Sequence, residues 1–200
     1  MALRIKRGQS LILIINIIAL VVFSGLYLNL RQNYEFLIYI GVIIFFLLLI
    51  LLTNDRINFP NTVLWGLTAW SLLHMSGGGV YFGGQKLYSL MLIPLVGEPY
   101  LIFKYDQFVH IVGFGTATLA MYYLIKPLLR QTIQKWVALS IVIVMAGLGV
   151  GALNEIIEFL ATVLVPETGV GGYINTALDL VADLIGALGA IVYLRIKEMR

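Results

Sequence analysis

LYSLMLIPLVGEPYLIF, residues 87–103, is apolar enough to be read as a membrane-crossing segment, and whether it crosses decides the topology of everything that follows it. A spanning helix needs about 20 mostly apolar residues. Pro94 and the run Gly97-Glu98-Pro99 interrupt this one, removing a backbone donor and favouring turns. Read as a connection, it leaves six spans, at Ser10 to Leu30, Glu35 to Thr53, Asn61 to Met75, Phe103 to Ile125, Trp136 to Val165 and Gly172 to Ile196. The expected fold is an all-α integral membrane bundle. A seventh span would invert all that comes after it.

Charge supports the even number. With six spans Arg4, Lys6, Arg7, Arg56, Lys126, Arg130, Lys135, Arg195, Lys197 and Arg200 fall on one side, leaving Arg31, Lys86 and Lys104 on the other. By the positive-inside rule both termini are cytoplasmic and the connection from Gly77 to Lys104 is external. Within it, Val80 to Tyr88 places Gly83-Gly84 between segments suited to a β-hairpin, which is expected to cap the outer face. Met1 to Gln9 is a short basic leader, but the apolar run behind it is longer than a signal-peptide core and reads as an uncut anchor.

Composition fixes the class. Of 200 residues 60% are hydrophobic and 12% charged, and the mean hydropathy is +0.97, which excludes a soluble globular chain. The absence of cysteine excludes disulfides, thiolate nucleophiles and sulfur-ligated metals. A pI near 9.1 comes from basic residues at helix ends, with no soluble basic domain to bind nucleic acid. The bilayer itself is the expected partner. One transmembrane domain over residues 1–200 is expected, in which residues 1–53 form two scaffold helices with almost no buried polar groups and residues 61–196 carry the chemistry.

That chemistry resides in His74, Asp106, His110, Glu155, Glu158, Asp179 and Asp183, which interrupt otherwise apolar helices. An ionisable group inside a bilayer costs several kcal/mol unless paired, hydrated or bound to an ion. Helix direction brings all seven toward the external leaflet: Glu155 lies roughly 28 Å above Trp136, and Asp179 and Asp183 about 10 and 16 Å below Gly172. Facing agrees with depth. Asp106, His110, Gly113 and Ala117 share one helical stripe; Gly147, Gly151, Glu155 and Glu158 a second; Asn175, Asp179, Asp183, Gly186 and Ala190 a third. Each polar patch continues into small residues, which let membrane helices approach closely.

Five carboxylates beside two histidines, with Lys104 the one lysine or arginine nearby, cannot all stay ionised without a cation. Mixed imidazole and carboxylate donors point to Zn, Mn or Fe. The expected ligands are His74, Asp106, His110, Asp179 and Asp183, with His74, His110 and either Asp183 or Asp179 favoured; Glu155 or Glu158 is the expected general base or ligand-supporting group. Competing readings stand beside this one: an Asp106–His110 packing staple, solvated acids at Glu155 and Glu158, and an interfacial His74 followed by a turn at Gly77-Gly78-Gly79. Trp65, Trp70 and Trp136 read as belt or packing residues.

At these residues the chain resembles an uncharacterised bacterial inner-membrane family typified by YjdF and, more distantly, the VanZ-like membrane proteins. The resemblance covers roughly His74 to Ala190. It rests on Tyr105, Asp106, His110 and Gly113, on the pair Glu155 and Glu158, and on Asp179, Asp183, Gly186 and Ala187. The chain departs from VanZ-like sequences at Glu158, where glutamine is more usual, and at Asp183, where asparagine is common. What the resemblance implies is a multi-pass inner-membrane protein with a shared polar site, and no established reaction. Three functions therefore compete: a metal-dependent hydrolase of a lipid-linked or membrane-adjacent substrate, a proton- or ion-coupled transporter, and a non-catalytic scaffold with a buried polar network. Few charges in the cytoplasmic halves and no inverted repeat or broken helix weigh against transport.

Overall fold

A computed structural model describes residues 8–31, 34–129, 135–165 and 168–199. Arg4, Lys6, Arg7, Arg130 and Arg200, which enter the charge count, lie outside them. Among the described residues six long α-helices appear: α1 (Ser10–Gly25, continued by a π-helical turn, Leu26–Arg31), α2 (Tyr34–Ile57), α3 (Asn61–Gly79), α4 (Tyr105–Ile125), α5 (Trp136–Leu164) and α6 (Tyr173–Glu198). Five of these segments are long and apolar enough to cross a membrane, at Ser10–Asn29, Tyr34–Ile57, Tyr105–Leu128, Trp136–Leu164 and Tyr173–Glu198. The helix outside that set is α3. It packs against α1, α2 and α4, burying Thr68, Ser71 and His74, so these polar side chains face protein. A helix enclosed in this way needs less apolar surface than one facing lipid.

The sequence reading ended the third span at Met75 and made Gly77-Gly78-Gly79 a turn. Instead α3 continues to Gly79. Missing side chains explain the extension, because a Cβ at Gly77 would occupy the Tyr88 ring, one at Gly78 the Phe36 ring, and one at Gly79 would press on Leu26 and Phe23. The glycines seat aromatic rings against a helix.

Between α3 and α4 the chain forms two antiparallel pairs. β1 (Tyr81–Phe82) pairs with β2 (Gln85–Lys86) around Gly83 and Gly84, whose φ of +58° and +83° suits a tight hairpin turn. A 3₁₀ turn at Leu87–Ser89 follows, then β3 (Met91–Val96) pairs irregularly with β4 (Ile102–Lys104). This second pair lies in the segment that decides the topology. Sequence reasoning saw only its breakers; the apolar residues between them form short strands. Gln107 starts α4 by accepting the Phe103 and Lys104 amides through Oε1, both at 2.7 Å.

Helix α4 is central, and glycines set how closely its neighbours approach. A Cβ on Gly186 of α6 would strike the Ile111 carbonyl and come within 2.8 Å of the Gly115 nitrogen, so α4 and α6 touch backbone to backbone. On the other flanks Gly147 of α5 faces Thr118, and Gly66 of α3 faces Thr116. Apolar clusters close both ends, one around Tyr27, Phe36, Tyr39 and Met75, another around Phe59, Val63 and Ala120, a third joining Tyr122, Ile143 and Leu194.

The first two helices carry more buried polar groups than their apolar runs suggest. Asn16, Glu35 and Asn54 are buried in them. Asn16 donates to Thr68 Oγ1 (2.7 Å), and Asn54 donates to Gln9 (2.9 Å) while accepting the Phe59 amide (3.1 Å), which ties α1 and α2 to the start of α3. Glu35 accepts the Gly169 amide at 2.7 Å and lies 3.8 Å from Lys86 Nζ, so it fastens the α5–α6 connection to the hairpin. The expectation failed because Glu35 sits at the edge of its apolar run, where a carboxylate reads as solvated.

The backbone contact at Gly186 generates a stability prediction. Gly186→Ala should destabilise the fold by about 1–3 kcal/mol through overpacking, lowering the thermal midpoint in detergent by about 2–4 °C per kcal/mol. Gly149→Ala, where a Cβ meets nothing within 4 Å, should leave it unchanged or raise it. Equal effects would contradict the close α4–α6 contact.

Candidate functional site

Asp106 and His110 stand one turn apart on α4, Glu155 and Glu158 on α5, and Asn175, Asp179 and Asp183 on α6. Each set points into the space among the three helices because the glycines beyond it draw the backbones together. Gly186 lies three positions past Asp183 and presses on Ile111, next to His110. Gly151, one turn before Glu155, has a surface that a Cβ would lose to the Asp183 carboxylate. Packing and chemistry therefore use the same stripe.

His110 is the hub. Its Nδ1 lies 2.9 Å from Asp183 Oδ1 and its Nε2 3.9 Å from Asp106 Oδ1. An ionised carboxylate accepts only, so the short contact places the proton on Nδ1. Nε2 is then the nitrogen available to a ligand, as in the carboxylate–histidine–metal arrangement. Asn175 holds the other acids: Nδ2 donates to Asp179 Oδ2 (2.5 Å) and Asp106 Oδ2 (3.3 Å), while Oδ1 accepts from Lys104 Nζ (3.0 Å). Thus Lys104 reaches the acids through an amide. Asn154 donates to Glu158 Oε1 at 2.9 Å.

Several buried oxygens have no well-formed hydrogen bond: both of Glu155, Oδ1 of Asp179 and Oδ2 of Asp183. Asp179 and Asp183 are fully buried, and His110 nearly so. Donor atoms of Asp106, His110 and Asp179 lie within 4.8 Å of one another, as do those of His110, Glu155 and Glu158. Ligand atoms around a first-row divalent ion, bound at about 2.0–2.2 Å, are separated by at most about 4.4 Å. A small side-chain contraction brings either set to bonding range.

Of the seven residues picked from sequence, six meet here, since Asp183 joins the two groups through His110. His74 does not belong to either group among the described residues. It sits in an aromatic pocket, stacked on Trp70 (centroids 5.5 Å apart) and edge-on to Tyr39 and Tyr88. Its Nδ1 contacts the Tyr88 hydroxyl at 2.5 Å. Burial, with the nearby Asp106 carboxylate adding to it, pushes the Tyr88 phenol well above its ordinary range and keeps it protonated. Whichever tautomer His74 adopts, Nδ1 is committed to Tyr88. Asp183 engages His110 through Oδ1, while its Oδ2 has no well-formed hydrogen bond among the described residues.

Asn175, Asn154 and Tyr88 contribute to the site without having stood out in the sequence as site residues. Asn175 was placed on the correct stripe without a role, although an amide at i−4 from a buried aspartate is a natural bridge. Tyr88 gave no local signal, since it reaches His74 only after the hairpin folds back onto α3.

No curated protein and no solved structure is similar enough to match the chain. Residues 9–200 match the model of a family described as predicted membrane protein, DUF2238. With nearly the whole length matched and a buried His/Asp/Glu group among its apolar helices, the chain belongs to the DUF2238 family of membrane proteins.

Proposed function

We propose that this protein crosses the bacterial inner membrane six times and holds one divalent cation, Zn, Mn or Fe, at the α4–α5–α6 cluster, where it hydrolyses a lipid-linked substrate. The observation that carries the reading is the set of buried carboxylate oxygens on Asp179 and Asp183, joined by those of Glu155, that have no well-formed hydrogen bond among the described residues. Buried acids left unpaired are costly, and a cation offsets several at once. His110 Nε2, Asp106 and Asp179 form the ligand set, because they come from two helices locked backbone to backbone and are oriented by Asp183 and Asn175. His74 then serves the pocket wall.

When bound, such an ion would acidify a water at the cluster. Glu155 would serve as the general base that takes a proton from the attacking water and returns it to the leaving oxygen of the ester or phosphoester as that bond breaks. Glu158, held by Asn154, adds a second carboxylate beside it. Six crossings follow if the enclosed α3 spans as well as the five apolar segments, which puts both termini on the cytoplasmic side and the hairpins outside.

Two experiments test this reading. Protein purified without chelator should carry about one divalent ion per chain; Asp106→Ala and Asp179→Ala should lose most of it, while Glu198→Ala, at the far end of α6, should keep it. Chelation should lower the thermal midpoint of the parent by several degrees, because a ligand bound to the folded state stabilises it. A metal-free parent, or equal content in all three variants, would contradict the proposal. For topology, the chain lacks cysteine, so single probes are clean. Phe82→Cys should react with an impermeant maleimide on intact cells, and Leu128→Cys only after permeabilisation; the reverse pattern would overturn the orientation.

A further inference from the structure

An apolar cavity of about 210 Å³ lies next to the cluster, bounded by α2, α3, α4 and α5. Its upper wall is made by Trp70, Gly113 and Asn154, of which Gly113 and Asn154 adjoin the site. Trp70 stacks on His74, Gly113 follows His110 by less than one turn, and Asn154 donates to Glu158. From there the wall runs along α4 to Leu124 and along α2 from Val42 to Thr53, about 16 Å on each helix. That is roughly half of a hydrocarbon core about 30 Å thick.

The inner wall is buried, with Phe59 only 3% and Phe114 4% exposed, whereas Leu49 on α2 and Leu153 on α5 are 45% and 44% exposed. In a membrane bundle the exposed pair faces lipid. The cavity therefore opens sideways between α2 and α5, toward acyl chains. It exceeds the ~150 Å³ apolar cavity that stays dry and admits a benzene ring. Its lining gives water almost no partners, so hydrocarbon is the occupant that fits.

We infer that this cavity is the tail channel of a lipid substrate: one hydrocarbon chain of a membrane amphiphile enters between α2 and α5 and lies along α4, while its head group reaches His110, Asp106 and Asp179. The inference rests on the functional reading above and narrows its substrate class. A long unsubstituted chain is required, and the bond to be broken lies close to the head.

Trp70 reports on the channel directly. With Trp65→Phe and Trp136→Phe leaving it as the sole tryptophan, its emission is measured in vesicles of phosphatidylcholine brominated along the acyl chains and in plain vesicles. Strong quenching by the brominated lipid is expected, with most of it relieved by Ala117→Phe, which fills the channel, and by Leu153→Phe, which narrows its mouth without entering the buried wall. Equal emission in the two lipids, or quenching unchanged in both variants, overturns the channel. Metal content measured on the same samples separates the two readings. Retained metal without quenching removes the channel and leaves the cation site; relieved quenching without metal supports the channel and removes the cation site.

Discussion

Five carboxylates, on Asp106, Glu155, Glu158, Asp179 and Asp183, share a space among three membrane helices with a single imidazole, His110. Each ionised acid in a poorly hydrated interior costs several kcal/mol unless its charge is answered. One imidazole answers at most one of them, and Lys104 spends its ammonium on the Asn175 amide. The rest of the structure is arranged around that imbalance. Asp183 fixes the ring of His110, Asn175 spans Asp106 and Asp179, and Asn154 holds Glu158. What remains is a set of buried oxygens on Glu155, Asp179 and Asp183 without a well-formed hydrogen bond among the described residues, the deficit that the proposed cation would offset.

The close approach of the helices is the second half of the same constraint. Gly186 against Ile111 and Gly115, and Gly151 against Asp183, bring the backbones near enough for short side chains to reach a common centre. Aspartate is too short to do this across an ordinary helix interface. Larger residues at these glycines would therefore cost packing and remove the site together. The aromatic pocket on α3 and the hairpins cover the same end, with Tyr88 as the latch between the 3₁₀ turn and His74.

Local periodicity made part of this visible in the sequence. Asp106 and His110, or Asp179 and Asp183, lie four apart and so share a helix face whatever surrounds them, and the glycines continuing each stripe mark the faces that touch. Interactions closed by chain return were hidden. Glu35 meets Gly169 across most of the chain, and Tyr88 meets His74 through a hairpin. The β3–β4 pair was hidden for another reason, since the breakers that exclude a spanning helix do not say what replaces it. Gly77 to Gly79 misled because glycine ends helices in isolation, whereas here bulky rings fill the space its side chain leaves.

The central claim, that a cation rather than protons balances the buried acids, is tested most directly by anomalous diffraction at the zinc, manganese and iron edges from crystals grown without chelator. One anomalous peak within bonding distance of His110 Nε2 and of Asp106 and Asp179 oxygens is the predicted result. A well-ordered cluster with no anomalous peak there, its carboxylates paired at hydrogen-bonding distance, would contradict it.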